Sequence, residues 1–452
     1  MTRKFKTADY AATLNLTIRL QDALPSNHLA RFIVDVIAQL DLSPIYAHYG
    51  ARGGEAFAPE ILLGLLFYGY ATGVFSSRKL EKATSESLPF RFIAGDLHPD
   101  HDTIASFRKT FLPELKDLFV QILLMAQALG VLKLGNLSLD GTKIHADASK
   151  SKAVSYKRLL ALERQLQTEV DELFALSEQA EQWEARAGLV IPDEIALRQD
   201  RLAHLTEAKA VLVARAQARD QAEQADYEAK VQAREEKARQ TKRKPRGRAP
   251  KPPTPGPQDK DQYNFTDPES RIMKNSTDDG FDQHYNAQVA VEQESFLIVA
   301  HSLSNHPNDK EEALPTLDAL APPLGTPEAV TLDNGFFSES NIAALEARGI
   351  EPYIATGRDP HHKSWHALVA ERPAPPPDDA SPKIKMAYKL QTEVGQALYR
   401  LRKCTVEPVI GLLKEILGFR QFSLRGLAAA AGEWCLVCVA FNLKRLHVLL
   451  GA

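Results

Sequence analysis

The stretch that decides the fold is Asn136–Asp147, which reads NLSLDGTKIHAD. Apolar and polar residues alternate along it around Asp140, and this alternation is typical of a β-strand with one buried face. Two later stretches, Tyr285–Val291 (YNAQVAV) and Phe296–Leu303 (FLIVAHSL), are strand-like and lie only a few residues apart. That spacing predicts a hairpin. The protein should therefore contain a β-sheet that begins with Asn136–Asp147.

The chain after this hairpin predicts alternating helices and strands. In chain order these are helix Lys310–Ala321, strand Ala329–Asp333, helix Ser338–Arg348, strand Glu351–Ala355 and helices from Lys385 onward. With residues 150–265 set aside, the order is three strands, helix, strand, helix, strand, helix. This order favours an α/β ribonuclease H-like core, a mixed sheet flanked by helices, over residues 126–150 and 265–452. One large insertion then follows its first strand.

Residues 1–125 predict an all-α N-terminal domain. The helical stretches are Asp22–Asp41, the apolar Pro59–Thr72, Arg78–Ser87 and a helix that Thr103 would cap. Short helices with tight polar turns are compatible with a helix-turn-helix unit that binds DNA. Arg108 and Lys109 lie on the last of these helices and could enter a groove. A small helical bundle without DNA contact is the alternative.

Residues 151–240 predict an inserted helical hairpin or coiled coil. Apolar residues recur at three- and four-residue steps from Lys152 to about Ala187, which indicates a helix with one apolar stripe. A glycine and a proline separate it from a second helix, about Asp193–Arg239. A role in DNA contact or dimerisation and a passive solvated spacer are both open.

Residues 241–264 predict a disordered, basic and proline-rich linker. It opens with TKRKPRGRAPKPPTPGP, which contains no acid. Its cations are Lys242, Arg243, Lys244, Arg246, Arg248 and Lys251. A flexible tether cannot hold a fixed base-reading geometry, so these cations should contact DNA phosphates without reading sequence.

Three acidic residues fall where phosphodiester chemistry needs them. Asp140 lies inside the first strand, Asp333 at the carboxyl end of a later strand, and Glu407 at the start of a late helix. Cleavage by two Mg²⁺ ions about 4 Å apart needs hard oxygen ligands that converge from several elements. Each acid alone also has a structural interpretation, because Asp-Gly and Asp-Asn-Gly favour turns and an acid favours a first helical turn. Only the combination predicts a catalytic site.

The composition excludes several other classes of protein. The chain has 452 residues, of which 44% are hydrophobic and 25% are charged, an ordinary globular balance. No apolar run approaches the roughly 20 residues that cross a bilayer, and the N-terminal stretch lacks the apolar segment of a secretion signal. The three cysteines cannot form a disulfide framework, and the pair Cys435 and Cys438 falls in an apolar helix. A reducing cytoplasm fits, and the net charge of −3 hides local basic clusters.

The chain resembles bacterial insertion-sequence transposases of the DDE class over nearly its whole length. The stretches that carry the resemblance are LLFYGYATGVFSSRKLEKA (65–83), PDHDTIASFRKTF (99–111), LSLDGTKIHADASK (137–150), DPESRIMK (267–274), GFDQHYNAQVAVEQESFLIVA (280–300), TLDNGFFSESNI (331–342) and YRLRKCTVEPVIGLLKEILGFRQFSLRG (399–426). The resemblance implies a DNA transposase that binds the terminal inverted repeats of an insertion sequence. It would catalyse metal-dependent strand cleavage and strand transfer.

The resemblance also implies site residues. The catalytic acids, which are also the metal ligands for two Mg²⁺ or Mn²⁺ ions, would be Asp140, Asp333 and Glu407. The last stretch resembles a tyrosine–arginine–glutamate–lysine signature, in which Tyr399, Arg402 and Lys414 support Glu407. Arg402 lies one residue farther from Glu407 than is usual, so either Arg402 or Lys403 could serve. Lys414 follows Glu407 by seven residues, nearly two helical turns, which predicts a shared helix face.

The implied partner is double-stranded DNA, both transposon ends and target. A homodimer or higher oligomer on DNA and a bacterial, nucleoid-associated cytoplasmic location are expected with it. Two alternatives stay open: a catalytically inactive DNA-binding protein of transposase descent, and a nuclease of the same fold that cuts without joining ends. The presence of all three acids favours the active transposase over the inactive descendant.

Overall fold

The computed structural model describes residues 19–50, 56–179, 191–241, 247–275, 280–357 and 374–451. The chain divides into two compact units. The first combines Met1–Ala146 with His284–Ala452, and the second is Asp147–Gln283. All three acids singled out in the sequence belong to the first unit.

The first unit opens with helices. Those in the described residues are α1 (Leu29–Ile37), α2 (Ser43–Tyr46), α3 (Pro59–Ala71), α4 (Ser77–Glu86), α5 (Leu88–Ala94), α6 (His101–Thr110) and α7 (Leu115–Ala128). Helix α3 is buried from Leu62 to Ala71, as its continuous apolar sequence predicts. The cap of α6 differs from the expectation. Asp100 caps it, because its carboxylate accepts the backbone N–H of Thr103 at 2.7 Å.

Strand β1 (Asn136–His145) follows these helices, and the second unit comes after it in the chain. The elements of the second unit are β2 (Ala153–Ser155), α8 (Tyr156–Gln179), α9 (Ile191–Thr241), β3 (Gln262–Asn264) and β4 (Arg271–Lys274). Helices α8 and α9 pack against each other around Leu159, Leu205 and Leu212. Lys209 of α9 pairs with Glu163 of α8 at 2.7 Å, while the earlier Arg198 pairs with the later Glu169 at 2.8 Å. The two helices are therefore antiparallel.

The described part of the basic segment is not disordered, so that prediction is wrong there. Arg219 of α9 donates to both carboxylate oxygens of Asp261 at 3.0 Å and to the carbonyl of Gly256 at 3.0 Å. Farther along α9, Arg234 donates to the carbonyl of Gly247 at 2.9 Å. The carbonyls of this glycine- and proline-rich segment thus satisfy arginines of α9, which holds the segment along the helix. Four of the predicted cations, Lys242, Arg243, Lys244 and Arg246, lie outside the described residues.

The remaining elements build a mixed sheet with helices around it. They are β5 (Phe281–Glu292), β6 (Ile298–Ser304), α10 (Ala313–Asp318), β7 (Ala329–Leu332), α11 (Glu339–Ala347), β8 (Glu351–Ile354), α12 (Pro382–Lys389), α13 (Glu393–Gly411) and α14 (Leu427–Leu449). In the first unit the strand order is β6-β5-β1-β7-β8. Strand β5 is antiparallel to both β1 and β6, whereas β1, β7 and β8 run parallel. The predicted mixed sheet is confirmed.

Helix α14 forms the core on one side of this sheet. Asn442 ties it to β6, because its side chain accepts the Ile298 N–H at 2.9 Å and donates to the Ile298 carbonyl at 2.8 Å. Cys435 and Cys438 are buried in it, as expected. In the described residues α14 is the one helix long and apolar enough to cross a membrane, contrary to the sequence expectation, although 67% of that apolar window is buried. Such burial is typical of a core helix, so this is weak evidence for a membrane span.

His301 on β6 makes the stability of the fold depend on pH. Burial and the nearby Lys116 lower the pKa of His301 from 6.5 to about 4, and its ring packs edge-on against Phe119 at 4.9 Å. Since the folded state disfavours the protonated imidazole, stability is complete above the unfolded pKa and falls as the pH drops toward 4. We expect acidification from pH 7.5 to pH 5 to cost on the order of 2 kcal/mol through this residue. Urea denaturation of His301→Phe at both pH values should show a correspondingly smaller loss than the parent chain.

Candidate active site

Asp140, midway along β1, and Asp333, directly after β7, meet where the pairing of these two strands ends. Strands β1 and β7 are parallel, and their paired positions run up to Leu139 opposite Leu332. The residues that follow this pair are Asp140 and Asp333. Their backbones therefore lie side by side, about one strand spacing apart, which is roughly 5 Å. Ligands of open α/β sheets bind outside the carboxyl ends of their strands. Two acids far apart in sequence are thus joined at a position suited to a ligand.

Each of these acids also forms the local turn that its sequence suggests. Oδ1 of Asp140 accepts the N–H of Gly141 at 2.8 Å. Oδ1 of Asp333 accepts a hydrogen bond from the N–H of Gly335 at 2.7 Å. Asp333 thereby caps the short 3₁₀ turn Asn334–Phe336. The structural and the functional interpretations are therefore compatible, because these backbone contacts fix the direction of each carboxylate.

A buried layer of hydroxyl groups attaches α13 to the sheet below the acids. The hydroxyls of Thr405 on α13 and Thr331 on β7 lie 2.8 and 3.0 Å from Oγ of Ser138 on β1. Gln293 donates to the same oxygen at 2.9 Å. All four side chains are buried. Since buried polar groups need partners, this network sets the position of α13 against β1 and β7.

Arg402 of α13 links two of the predicted acids. Its guanidinium donates to Oδ2 of Asp140 at 3.0 Å and to Oε1 of Glu407 at 3.2 Å. The side chain is only 9% exposed, and its charged end lies over the ring of Tyr399 at 5.7 Å. The charges of Asp140, Glu407 and Asp333 all act to raise the pKa of Arg402. Two of the acids therefore contact one buried cation, and the third acts on it electrostatically.

The carboxyl group of Asp140 has a raised pKa. Burial is the largest cause that raises the pKa of its carboxyl, to about 6, and the neighbouring negative charges of Asp333 and Asp309 raise it further. Arg402 and the N–H of Gly141 act in the opposite direction. A carboxyl that is buried among like charges gains from a cation that replaces its proton.

The other signature residues take different places. Lys403 is exposed, whereas Arg402 makes the contacts to Asp140 and Glu407. Lys414 donates to Oγ1 of Thr142 at 3.1 Å and to the carbonyl of Lys143 at 3.3 Å, so it contacts the end of β1. The assumption of one regular helix from Glu407 to Lys414 is wrong. A π-helical turn, Leu412–Ile416, intervenes and changes the residue spacing per turn.

Arg108 cannot be a groove-reading residue, and that prediction is wrong. It is 7% exposed, donates to the hydroxyl of Tyr70 at 2.8 Å and to the carbonyl of Phe75 at 3.1 Å, and lies 3.8 Å from the carboxylate of Glu433. The arginine faces the core because Glu433, which is fully buried on α14, needs a positive partner there. Lys109 is exposed at the end of α6, as is Arg248 in the basic segment.

The site contains further polar residues that the sequence did not indicate. Asp309 follows β6, and its Oδ1 accepts from Asn286 at 2.7 Å and from Gln288 at 2.9 Å. Lys143 of β1 lies 3.5 Å from the same oxygen. Polar residues at alternate positions of β5 were the available signal, but the apolar residues between them fit a hairpin equally well.

The donor set fits a divalent metal in kind. Among the described residues, no three His, Cys, Asp or Glu side chains are arranged to hold a metal as they stand. Hard carboxylate oxygens nevertheless converge here, and Asp140 is desolvated beside like charges. A Cβ on Gly335 would lie 3.0 Å from Oδ1 of Asp333, so this glycine keeps space open beside that carboxylate. Arg402 donates hydrogen bonds to two of these acids, Asp140 and Glu407.

Two segments of the chain match known protein families. The family described as "Transposase domain (DUF772)" matches residues 18–110, which include α1 to α6. The family described as "Transposase DDE domain" matches residues 377–447, which include α13 with Arg402 and Glu407. Together these matches support an insertion-sequence DDE transposase.

A curated relative agrees with these two matches. It is the "Putative transposase for insertion sequence element IS402" of Burkholderia cepacia, with 43% identity over 61 residues. The matched part is 12% of this chain and 29% of that relative. No solved structure matches this chain with significance. The two family matches include Glu407 but neither Asp140 nor Asp333, whose grouping with it rests on the geometry above.

Proposed function

We propose that this chain is an active transposase that binds the terminal inverted repeats of its insertion sequence and catalyses strand cleavage and strand transfer. One observation carries the proposal. Asp140 and Asp333 lie side by side where the pairing of β1 with β7 ends, with Glu407 joined to Asp140 through Arg402. A pair of adjacent carboxylates with a third acid nearby is what two-metal phosphodiester chemistry requires.

We further propose that the core is a ribonuclease H-like fold. In support, β1, β5 and β6 form an antiparallel series, and β7 and β8 then add in parallel on the other side of β1. The second unit lies between the first and second of these strands in the chain. The order of elements is therefore the one that the sequence pattern favours.

DDE transposases use divalent metal ions, and here we propose two Mg²⁺ or Mn²⁺ ions. Asp140 and Asp333 would hold one between them, and Glu407 would contribute once it leaves Arg402. The metals, when bound, would lower the pKa of the attacking hydroxyl and offset charge on the leaving oxygen. Asp140 loses its proton as the pH rises through about 6, which makes its oxygens available as ligands at neutral pH.

The protein's own residues position these acids. Arg402 holds Asp140 and Glu407 in one orientation, and its planar guanidinium suits such a two-carboxylate contact. Lys414 fixes the end of β1 beside Asp140 through Thr142 and the Lys143 carbonyl. Both cations also place positive charge where a DNA phosphate would approach, which would favour its binding.

The remaining assignments are proposals of the same kind. Residues 1–125 would be the DNA-binding domain, residues 126–150 and 265–452 the catalytic domain, residues 151–240 the inserted hairpin and residues 241–264 the basic linker. Transposon-end and target DNA are the expected partners of a homodimer or larger assembly in the bacterial cytoplasm. Lys109 is the candidate groove contact that is left on α6.

The test of the function is a reaction with a labelled duplex that carries the inverted repeat found beside the reading frame. We expect strand cleavage with Mg²⁺ or Mn²⁺, none with excess EDTA, and covalent joining of the cut end to a second duplex. Cleavage without joining would identify a nuclease instead. Binding to the repeat without metal-dependent cleavage would identify an inactive descendant.

The basic segment should bind phosphate without reading sequence. Lys242, Arg243, Lys244, Arg246, Arg248 and Lys251 would be replaced together by Gln. We expect weaker binding to terminal-repeat and random duplex alike, with the salt dependence reduced by about 0.9 in slope per lost contact. Fluorescence anisotropy against salt concentration measures both. A loss confined to the terminal repeat would contradict the prediction, and so would unchanged binding to both.

A further inference from the structure

We propose that Asp309 is a fourth carboxylate of this site and binds a divalent metal together with Asp333. The inference rests on the proposed function, because it concerns the metal ligands of the same site. It adds a residue that lies outside both family-matched segments.

The hydrogen bonds of Asp309 hold one of its oxygens and direct the other. Oδ1 accepts from Nδ2 of Asn286 at 2.7 Å and from Nε2 of Gln288 at 2.9 Å, with the Nζ of Lys143 at 3.5 Å. The described hydrogen bonds and ion pair of the Asp309 carboxylate thus all involve Oδ1. A carboxylate held in this way by one oxygen presents the other in a fixed direction, as metal ligands usually do.

The second oxygen of Asp309 lies close to Gly335, as does the carboxylate of Asp333. A Cβ placed on Gly335 would lie 3.6 Å from Oδ2 of Asp309 and 3.0 Å from Oδ1 of Asp333. The two carboxylates therefore approach one point from different elements, and the missing side chain of Gly335 leaves that point open. An ion of the size of Mg²⁺ or Mn²⁺ takes oxygen ligands at about 2 Å and fits between two such carboxylates.

Buried and unpartnered oxygens beside Asp309 give independent support for a cation. Asn286 and Gln288 are fully buried, yet Oδ1 of Asn286 and Oε1 of Gln288 have no hydrogen-bond partner. The Gln288 oxygen lies 2.6 Å from where a Cβ on Gly141 would be, so it reaches the residue next to Asp140. A buried acceptor without a donor is costly, and a hydrated cation supplies donors and positive charge at once.

The balance of charge in the site also favours a bound cation. Four acids, Asp140, Asp309, Asp333 and Glu407, lie here with three cations, Arg402, Lys143 and Lys414. An excess of negative charge in a partly buried site is unfavourable unless cations neutralise it. Asp309 therefore gives the site the charge that a second divalent ion requires.

The test is Mn²⁺ binding to the full chain, measured by electron paramagnetic resonance of the free ion. We expect Asp309→Asn to weaken Mn²⁺ binding about tenfold or more, or to remove one of two bound ions. Gly335→Ala should act similarly, because its methyl group would occupy the space between Asp309 and Asp333 without altering the bonds of Asp309. Asp318→Asn is the control, since Asp318 is an exposed acid on α10. It should bind Mn²⁺ as the parent chain does.

The outcomes separate this inference from the proposed function. If Asp140→Asn abolishes Mn²⁺ binding while Asp309→Asn and Gly335→Ala bind within twofold of the parent, the inference about Asp309 is wrong and the proposed site stands. If Asp140→Asn also leaves binding unchanged, the proposed site itself is wrong. Should Asp309→Asn fail to fold, as a thermal melt would reveal, the Gly335→Ala measurement decides.

Discussion

Asn at position 140 or 333 is expected to reduce metal-dependent cleavage of terminal-repeat DNA by about a thousandfold or more. Each substitution keeps the shape of the side chain but removes the negative charge that a divalent ion requires. The turn contacts to Gly141 and Gly335 use a side-chain oxygen that Asn retains, so the fold should persist. Loss of one ligand removes both the activation of the attacking hydroxyl and the stabilisation of the leaving oxygen, which accounts for the size of the effect.

The measurement is single-turnover cleavage with a parallel gel-shift assay on the same duplex. DNA binding of Asp140→Asn and Asp333→Asn should stay within a few fold of the parent chain. Asp318→Asn, which changes an exposed acid outside the site, should cleave normally. Undiminished cleavage by either site variant would refute the catalytic assignment, and a parallel loss of binding would show a structural role instead.

Much of the fold could be predicted from sequence because its strands are regular. The alternating pattern around Asp140 gives β1, and the two strand-like stretches after Gly280 give β5 and β6 within a few residues of their ends. The helical periodicity of the insertion similarly predicts α8 and α9. These elements follow from local spacing, which one sequence contains in full.

The features that sequence did not predict correctly involve residues whose partners lie far away in the chain. Arg108 has the sequence environment of an exposed basic residue, and only the fold brings it to Glu433, which is 325 positions later. Asp309 lies in an ordinary polar loop, and only strand pairing brings it to Asn286 and Gln288. The π-helical turn Leu412–Ile416 follows Pro408 and Gly411, but these residues mark a helix break without specifying a π-turn. Periodicity cannot report contacts of this kind.

Replacing Arg108 by Met is expected to destabilise the first unit by about 3–5 kcal/mol. Glu433 is fully buried, and its carboxylate accepts from the Tyr70 hydroxyl at 2.8 Å and from the Ser423 and Leu424 N–H groups at 2.8 and 3.1 Å. These neutral donors orient Glu433 but do not neutralise it. Without Arg108, a buried negative charge stays uncompensated, and Tyr70 loses a hydrogen bond as well.

A double variant separates this charge effect from lost packing. Glu433→Gln removes the negative charge. Its one oxygen can still accept from the Ser423 and Leu424 N–H groups, and its amide can donate to the Tyr70 hydroxyl, so Arg108→Met combined with Glu433→Gln should recover part of the loss. Lys109→Met, at the exposed neighbour of Arg108, should change the free energy of unfolding by no more than about 0.5 kcal/mol. Urea denaturation measures the free energy of unfolding of all three variants.

If Arg108→Met kept full stability but bound terminal-repeat DNA more weakly, Arg108 would be a DNA contact after all. Its burial against Tyr70 and Glu433 predicts the opposite: the loss appears in stability, and any weaker DNA binding follows from unfolding.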